Sequence, residues 1–179
     1  MYIGRFAPSP TGVLHYGSLL AALASYLDAK SSQGLWLVRI DDIDPPREMH
    51  GASQSILETL QLFGLAWDRD VIYQSQRYRL YQQALETLTA SKQAYPCTCS
   101  RKEITQRSGH NHYDEHCFTH PFSEVKSAHA WRFHNIHTKI CWTDGILGEQ
   151  QRYHPDLADF ILKRRDRLWA YQLAVTIDD

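Results

Sequence analysis

Residues Arg5–Ser18, reading Arg-Phe-Ala-Pro-Ser-Pro-Thr-Gly-Val-Leu-His-Tyr-Gly-Ser, constrain this chain more than any other stretch. A short apolar run, Tyr2, Ile3 and Phe6, reads as a strand. Pro8, Pro10 and Gly12 then break it into a rigid loop. A strong helical pattern starts at His15-Tyr16-Gly17-Ser18. A strand, a tight loop and a helix N-terminus together make an anion site, because free backbone N–H groups and the helix dipole point at one spot. Gly17 lets a flat base or a phosphate come close to the backbone. His15 can donate a hydrogen bond to a phosphate oxygen and to charge that develops during nucleotidyl transfer.

The rest of the chain fits an α/β arrangement. Leu19, Leu20, Leu23, Ala24 and Leu27 recur at helical spacing and predict a core-facing helix up to about Lys30. Leu35–Ile40 reads as a buried parallel strand. Ala52, Ile56, Leu60 and Phe63 mark a second helix stopped by Gly64, and residues 71–73 a short strand. Ser75 is the expected N-cap of a third helix carrying Tyr81, Leu85 and Leu88. Strand-like runs follow at 130–133 and 160–163, and Trp169–Ile177 suits helix or strand. Strands alternating with helices indicate a parallel sheet, whose ligands bind at the carboxyl ends of the strands. The loops after Phe6 and Ile40 both lie at such ends.

Bulk composition narrows the class. The 179 residues suffice for one domain with a small insert, and 43% hydrophobic with 22% charged is ordinary for a globular protein. No apolar run approaches the roughly 18–20 residues that span a membrane, and Met1-Tyr2-Ile3-Gly4 is not a signal peptide. The expected location is therefore cytoplasmic, with no membrane partner. The formal net charge of −1 makes any RNA contact local. Lys163, Arg164, Arg165 and Arg167 form the densest basic cluster, suited either to phosphate or to a solvated turn.

Two further constellations carry chemistry. Arg39-Ile-Asp-Asp-Ile-Asp-Pro-Pro-Arg47 closes the Leu35–Ile40 strand. Asp41, Asp42 and Asp44 repel one another unless a cation or donor sits among them, and a substrate ammonium group would serve. Cys97, Cys99 and Cys117 cluster in sequence while Cys141 stands apart, a spacing that favours a metal. Zn²⁺ takes four tetrahedral ligands and prefers thiolates. By chemistry alone a nearby His (His110, His112, His116 or His120) is a better fourth donor than the Tyr113 phenol. The segment around these residues, 95–129, reads as an insert that a structural metal would help to fold.

The Arg5–Ser18 stretch resembles the first signature of class I aminoacyl-tRNA synthetases in its glutamyl form, in which Leu-His-x-Gly follows Arg-Phe-Ala-Pro-Ser-Pro-Thr-Gly. The fourth signature position, commonly His, is Ser18 here, which weakens one phosphate contact. Arg39–Asp44 resembles the family's Arg-Ile-Glu-Asp-x-Asp element, with Asp41 at the acidic position that contacts the substrate amino group. Asp42–Arg47 and the Cys97-x-Cys99…Tyr113-x-x-x-Cys117 spacing resemble the glutamyl-Q tRNA(Asp) synthetase subgroup. Asp159–Val175 resembles a later block, with Tyr171 lining the amino acid pocket and Arg167 where a turn glycine is usual.

The resemblance implies a Rossmann-like class I catalytic domain with a small zinc-bearing insert. It divides the chain into residues 1–94, the insert at 95–129, and a return to the catalytic domain at 130–179. The second family signature, Lys-x-Ser-Lys or similar, is absent, so the chain reads as the N-terminal portion of a longer protein and is expected to be inactive alone. Implied roles are His15 and Gly17 in catalysis; His15, Gly17 and Ser18 toward ATP with Mg²⁺; and Arg5, Ala7, Ser9, Asp41 and Tyr171 toward glutamate. The resemblance assigns Cys97, Cys99, Tyr113 and Cys117 to one structural Zn²⁺, with His116 as the next choice after Tyr113. The implied acceptor is queuosine in the anticodon of tRNA(Asp), the implied state a monomer. Rival readings are the catalytic fragment of an ordinary glutamyl-tRNA synthetase and a non-catalytic RNA-binding module derived from one.

Overall fold

The computed structural model describes residues 1–109, 112–121, 128–136, 139–153 and 159–179. The chain forms two compact units, Met1–Arg79 and Leu80–Asp179.

In the first unit, strand β1 (Ile3–Phe6), helix α1 (Tyr16–Ser31), strand β2 (Leu35–Ile40), helix α2 (Ala52–Leu62) and strand β3 (Ile72–Tyr73) follow in order. The sheet order is β1-β2-β3, and both pairings are parallel. Trp36 anchors the core. It is fully buried, stacks on Phe6, meets Tyr26 edge-on, and donates from its ring nitrogen to Ser25 at 2.9 Å. Its backbone N–H is held by Asp68 at 2.6 Å, and the Lys30 ammonium bonds the same carboxylate. The Lys30 bond and the Trp36 N–H together hold the Asp68 carboxyl below the ordinary carboxylate range.

Helix α1 has the predicted bounds but buries a different face. Leu20, Leu23 and Leu27 are 54%, 40% and 55% exposed, and Ala24 is exposed too. The buried side is Ala22 and Ala29, with Leu19, Ser25 and Tyr26 half-buried. Close approach is the reason. A Cβ added at Gly4 would meet Ala29 Cβ and the Ser25 carbonyl, both at 3.0 Å, so only small residues fit where α1 lies on β1. The third helix also departs from expectation. Gln74–Arg77 is a 3-10 turn and α3 runs Tyr78–Ala90, so Ser75 caps no α-helix. Its N–H and hydroxyl are instead taken by Asp42, at 2.9 and 2.6 Å.

The second unit, which holds most of α3, is not parallel. Strands β4 (Ala94–Cys97), β5 (Ala130–Phe133) and β8 (Ile161–Lys163) form an antiparallel sheet in the order β4-β5-β8. Strands β6 (Lys139–Asp144) and β7 (Gly148–Tyr153) form a separate hairpin, closed where Asp144 accepts from the N–H groups of Ile146 and Leu147, both at 2.8 Å. Between β4 and β5 lie helices α4 (Arg101–Ser108) and α5 (His116–Thr119). The apolar end segment becomes helix α6 (Tyr171–Asp178), which buries Leu173 and Ala174. Tyr81 of α3 is fully buried against Trp169 and donates to Asp178 at 2.6 Å, fixing α6.

Candidate functional site

In the first unit the parallel pairing brings the carboxyl ends of β1 and β2 to one side, in register Phe6↔Val38. The loop after β1 is stitched to the segment after β2. The Asp41 N–H donates to the Pro8 carbonyl and the Met49 N–H to the Pro10 carbonyl, both at 2.9 Å. Arg5, Ala7, Ser9 and Asp41 therefore gather in one neighbourhood; Ser9 is exposed, Arg5 and Ala7 half-buried. Asp41 is 5% exposed and bound in bidentate fashion by the buried Arg39, at 2.6 and 3.2 Å.

The three crowded aspartates each find a different donor. Asp41 takes Arg39, Asp42 takes Ser75, and Asp44 pairs with Arg47. The expected repulsion is thus relieved within the chain, and the carboxylates do not on that ground require a bound ammonium group.

His15 is the N-cap of α1. Its Nδ1 accepts from the Ser18 N–H at 3.2 Å, and its Nε2 lies 3.0 Å from the Ser18 hydroxyl. The imidazole thus sits where an anion at this helix start would sit. A Cβ at Gly17 would meet the His15 ring at a tight 3.2 Å, so glycine suits that fold-back. His15 and Gly17 are exposed, and Ser18 is half-buried.

Tyr171 belongs to the second unit, at the first residue of α6, and is exposed. The basic cluster is engaged rather than free. Lys163 packs its ammonium over the Trp169 ring at 4.1 Å and bonds Gln82, Arg164 pairs with Asp166, and Arg165 donates to the Thr98 carbonyl. Burial, aided by Arg167, lowers the Lys163 pKa. Arg167 itself holds the left-handed conformation, φ 71°, that a glycine would take without strain.

In the second unit Cys97, Cys99 and Cys117 come together with their sulfurs within 4.8 Å of one another. Cys99 and Cys117 are 3.4 Å apart. The Tyr113 hydroxyl completes the group, 3.4 Å from Cys97 Sγ and accepting the Cys117 N–H at 2.8 Å. Tyr95, Cys97, Ile104, Tyr113 and Cys117 form one small buried core. Zinc–thiolate bonds of about 2.3 Å in a tetrahedron bring sulfurs to about 4 Å, so the donor set fits such an ion. Its acidities differ. Burial, and the bond with Cys117, push the Cys99 thiol up to about 11. Burial works against ionising Cys117 too, but contacts with Tyr113, Thr98, Cys99 and Cys97 outweigh it and lower its pKa. Burial first, then Cys117 and Cys97, raise the Tyr113 phenol. Among the described residues no histidine joins the group; His116 stacks on His120 instead, and His110 lies outside the described residues. Cys141 is exposed on β6.

Sequence reading missed the arginines around this cluster. Arg107 on α4 reaches Cys99, and Arg132 on β5 covers the Tyr113 ring. It missed α4 too, although Ser100-x-x-Glu103 carries a usable signal: the two residues form a reciprocal capping box, and Gly109 ends the helix at φ 72°.

Comparison with known proteins places the chain in a family. The family model of class I tRNA synthetases (E and Q), catalytic domain, matches residues 3–179. The chain is similar to a glutamyl-Q tRNA(Asp) synthetase from Neisseria meningitidis serogroup C (strain 053442), 50% identical over 100% of the chain and 63% of the relative. It is also similar to the one from Vibrio vulnificus (strain YJ016), 51% identical over 99% of the chain and 57% of the relative. The chain thus spans less than two thirds of the length of these curated relatives. Among solved structures, a glutamate tRNA ligase from Elizabethkingia meningosepticum CCUG26117, in complex with its amino acid, superposes with a TM-score of 0.85 at 27% identity, over 99% of this chain and 41% of that one. A glutamate-tRNA synthetase from Elizabethkingia anophelis gives 0.84 at 27% identity, over 99% and 42%. The chain belongs to the class I tRNA synthetases of the glutamate and glutamine (E and Q) type, within their catalytic domain.

Proposed function

We propose that this chain is the catalytic-domain portion of a glutamyl-Q tRNA(Asp) synthetase. The observation that carries the reading is the roughly 50% identity, along the whole chain, to relatives of that name. A glutamate carboxylate oxygen attacks the α-phosphorus of ATP, giving glutamyl-adenylate and pyrophosphate. A hydroxyl of queuosine in the tRNA(Asp) anticodon then attacks the activated carbonyl, and AMP leaves. Catalysis is positional and electrostatic, with no covalent protein intermediate.

The roles are those the family resemblance implies. Backbone N–H groups at the start of α1, with Gly17 and Ser18, receive the nucleotide. There a phosphate exchanges with the His15 imidazole, which is then free to donate to phosphate oxygens. Arg5, Ala7, Ser9 and Asp41 line the glutamate end, and the family resemblance assigns Tyr171 to glutamate as well. Asp41 keeps its bond to Arg39 while a second lone pair takes the ammonium group. Mg²⁺ accompanies ATP as its counter-ion. A structural Zn²⁺, when bound by Cys97, Cys99, Tyr113 and Cys117, ties β4 to α5. A cytoplasmic location and a monomeric state complete the proposal.

Activation is tested by glutamate-dependent exchange of pyrophosphate into ATP, without tRNA, in a chain extended to the length of its relatives. Exchange with glutamate and none with aspartate or glutamine is the expected result. Exchange driven by glutamine, or by no amino acid, contradicts the reading.

A further inference from the structure

Two arginines reach the cysteine–tyrosine cluster from outside, and neither takes part in the activation chemistry above. Arg107 is gripped by Asp114 through two bonds, Nε to Oδ2 at 2.7 Å and Nη2 to Oδ1 at 3.0 Å. That grip aims the same Nη2 at Cys99 Sγ, 3.3 Å away. Arg132 is only 8% exposed, and its guanidinium carbon lies 3.8 Å from the centre of the Tyr113 ring. Its Nη1 donates to the Asp159 carbonyl at 2.8 Å, and its Nε is buried with no acceptor among the described residues. The Asp159 carboxylate already receives the Tyr95 hydroxyl, the Asn135 N–H at 2.7 Å and His134 at 3.3 Å. A buried guanidinium is costly unless negative charge faces it.

Metal binding supplies that charge. Cysteine and tyrosine ligands lose their protons to solvent when they coordinate. Three thiolates and a phenolate carry four negative charges against the two positive charges of the ion, so the loaded centre is anionic and needs cations beside it. The cation over the Tyr113 face binds an electron-rich phenolate more strongly than a neutral phenol. An N–H aimed at a thiolate sulfur is a charge-assisted bond.

We propose that Arg107 and Arg132 are positioning residues of the metal centre, Arg107 donating to Cys99 Sγ and Arg132 covering the Tyr113 ring, and that together they stabilise the charged, metal-bound ligand set. This rests on the metal reading above. Both residues act through the ligands and touch no substrate.

The test uses the 179-residue chain and its Arg107→Met, Arg107→Lys, Arg132→Met and Arg132→Lys variants. Elemental analysis of the unaltered chain comes first. Zinc near one per chain sustains the metal reading, and zinc near zero overturns that reading and this inference with it. The rate of zinc transfer to a chromogenic chelator then follows, with the thermal midpoint of each zinc-loaded variant measured alongside. Loss of an outer-shell partner lowers metal affinity by about 10–100-fold, so each Met variant should release zinc faster by about that factor. The Lys variants should recover a good part of the loss, because they keep the charge without the flat fork. Zinc-loaded chains whose Met variants release metal at the unaltered rate overturn the inference and leave the metal reading standing. So do Lys variants that are as fast as Met, since that pattern reports packing alone. Arg107 is 31% exposed on a short helix, so its pair of variants decides the matter even if Arg132→Met does not fold.

Discussion

Replacing His15 with alanine should lower glutamate-dependent pyrophosphate exchange by about 10²-fold or more, the usual cost of losing one donor aimed at developing charge. The structure adds a complication that the test must resolve. His15 is also the N-cap of α1, through its bond from the Ser18 N–H. Losing a cap costs about 1 kcal/mol of stability, so alanine perturbs both fold and chemistry. His15→Asn separates them. Asparagine caps a helix well but cannot supply an imidazole N–H at the same reach. The expected pattern is a normal melting temperature with exchange still down by about 10²-fold. A His15→Asn protein with full exchange would show that the residue serves the helix and not the nucleotide.

Stripping the metal should have the largest structural effect. The small core of the second unit is Tyr95, Cys97, Ile104, Tyr113 and Cys117. Three of those five are proposed ligands, so without an ion little apolar packing remains to hold α4 and α5 in place. A ligand that binds only the folded state at 1,000 times its Kd contributes about 4 kcal/mol. Chelation should therefore make residues 98–109 and 112–121 cleavable by protease while the unit Met1–Arg79 stays resistant. Cys97→Ser should copy the chelated state. Cys141→Ser, altering an exposed cysteine on the separate hairpin, should change nothing. A chelated protein with unaltered protection over residues 98–109 and 112–121 contradicts a structural metal.

How much of this was readable from residues alone varies with the physics of each part. The strand–loop–helix of the first unit was, because prolines, Gly17 and strong apolar runs leave few options. So were β2, β5 and the bounds of α1 and α2. The inward face of α1 was not. Leucine periodicity points one way, but β1 approaches so closely at Gly4 that alanine and serine take the interior. Ser75 misled because a hydroxyl suited to capping was claimed by Asp42 from a distant loop. The β6–β7 hairpin gave no apolar alternation, since nearly all its residues face solvent; only Asp144-Gly145 marked its turn. In the candidate site, the acidic cluster suggested a ligand to sequence reading, and the fold instead supplied a partner for each carboxylate. The cysteines were visible by spacing. Tyr113 was legible through the family resemblance, where donor chemistry alone favoured a histidine; the arginines behind the cluster required tertiary structure.

The proposed acceptor is queuosine in the anticodon of tRNA(Asp). The chain, extended to the length of its relatives, is given radiolabelled glutamate, ATP, and either tRNA(Asp) with queuosine, tRNA(Asp) without it, or tRNA(Glu). The labelled tRNA is then cut with nuclease and the fragments are separated at acidic pH, where the ester survives. Label is expected only on the queuosine-containing tRNA(Asp), and within its anticodon fragment. Label on the 3′-terminal adenosine of tRNA(Glu) would contradict it and identify an ordinary glutamyl-tRNA synthetase instead.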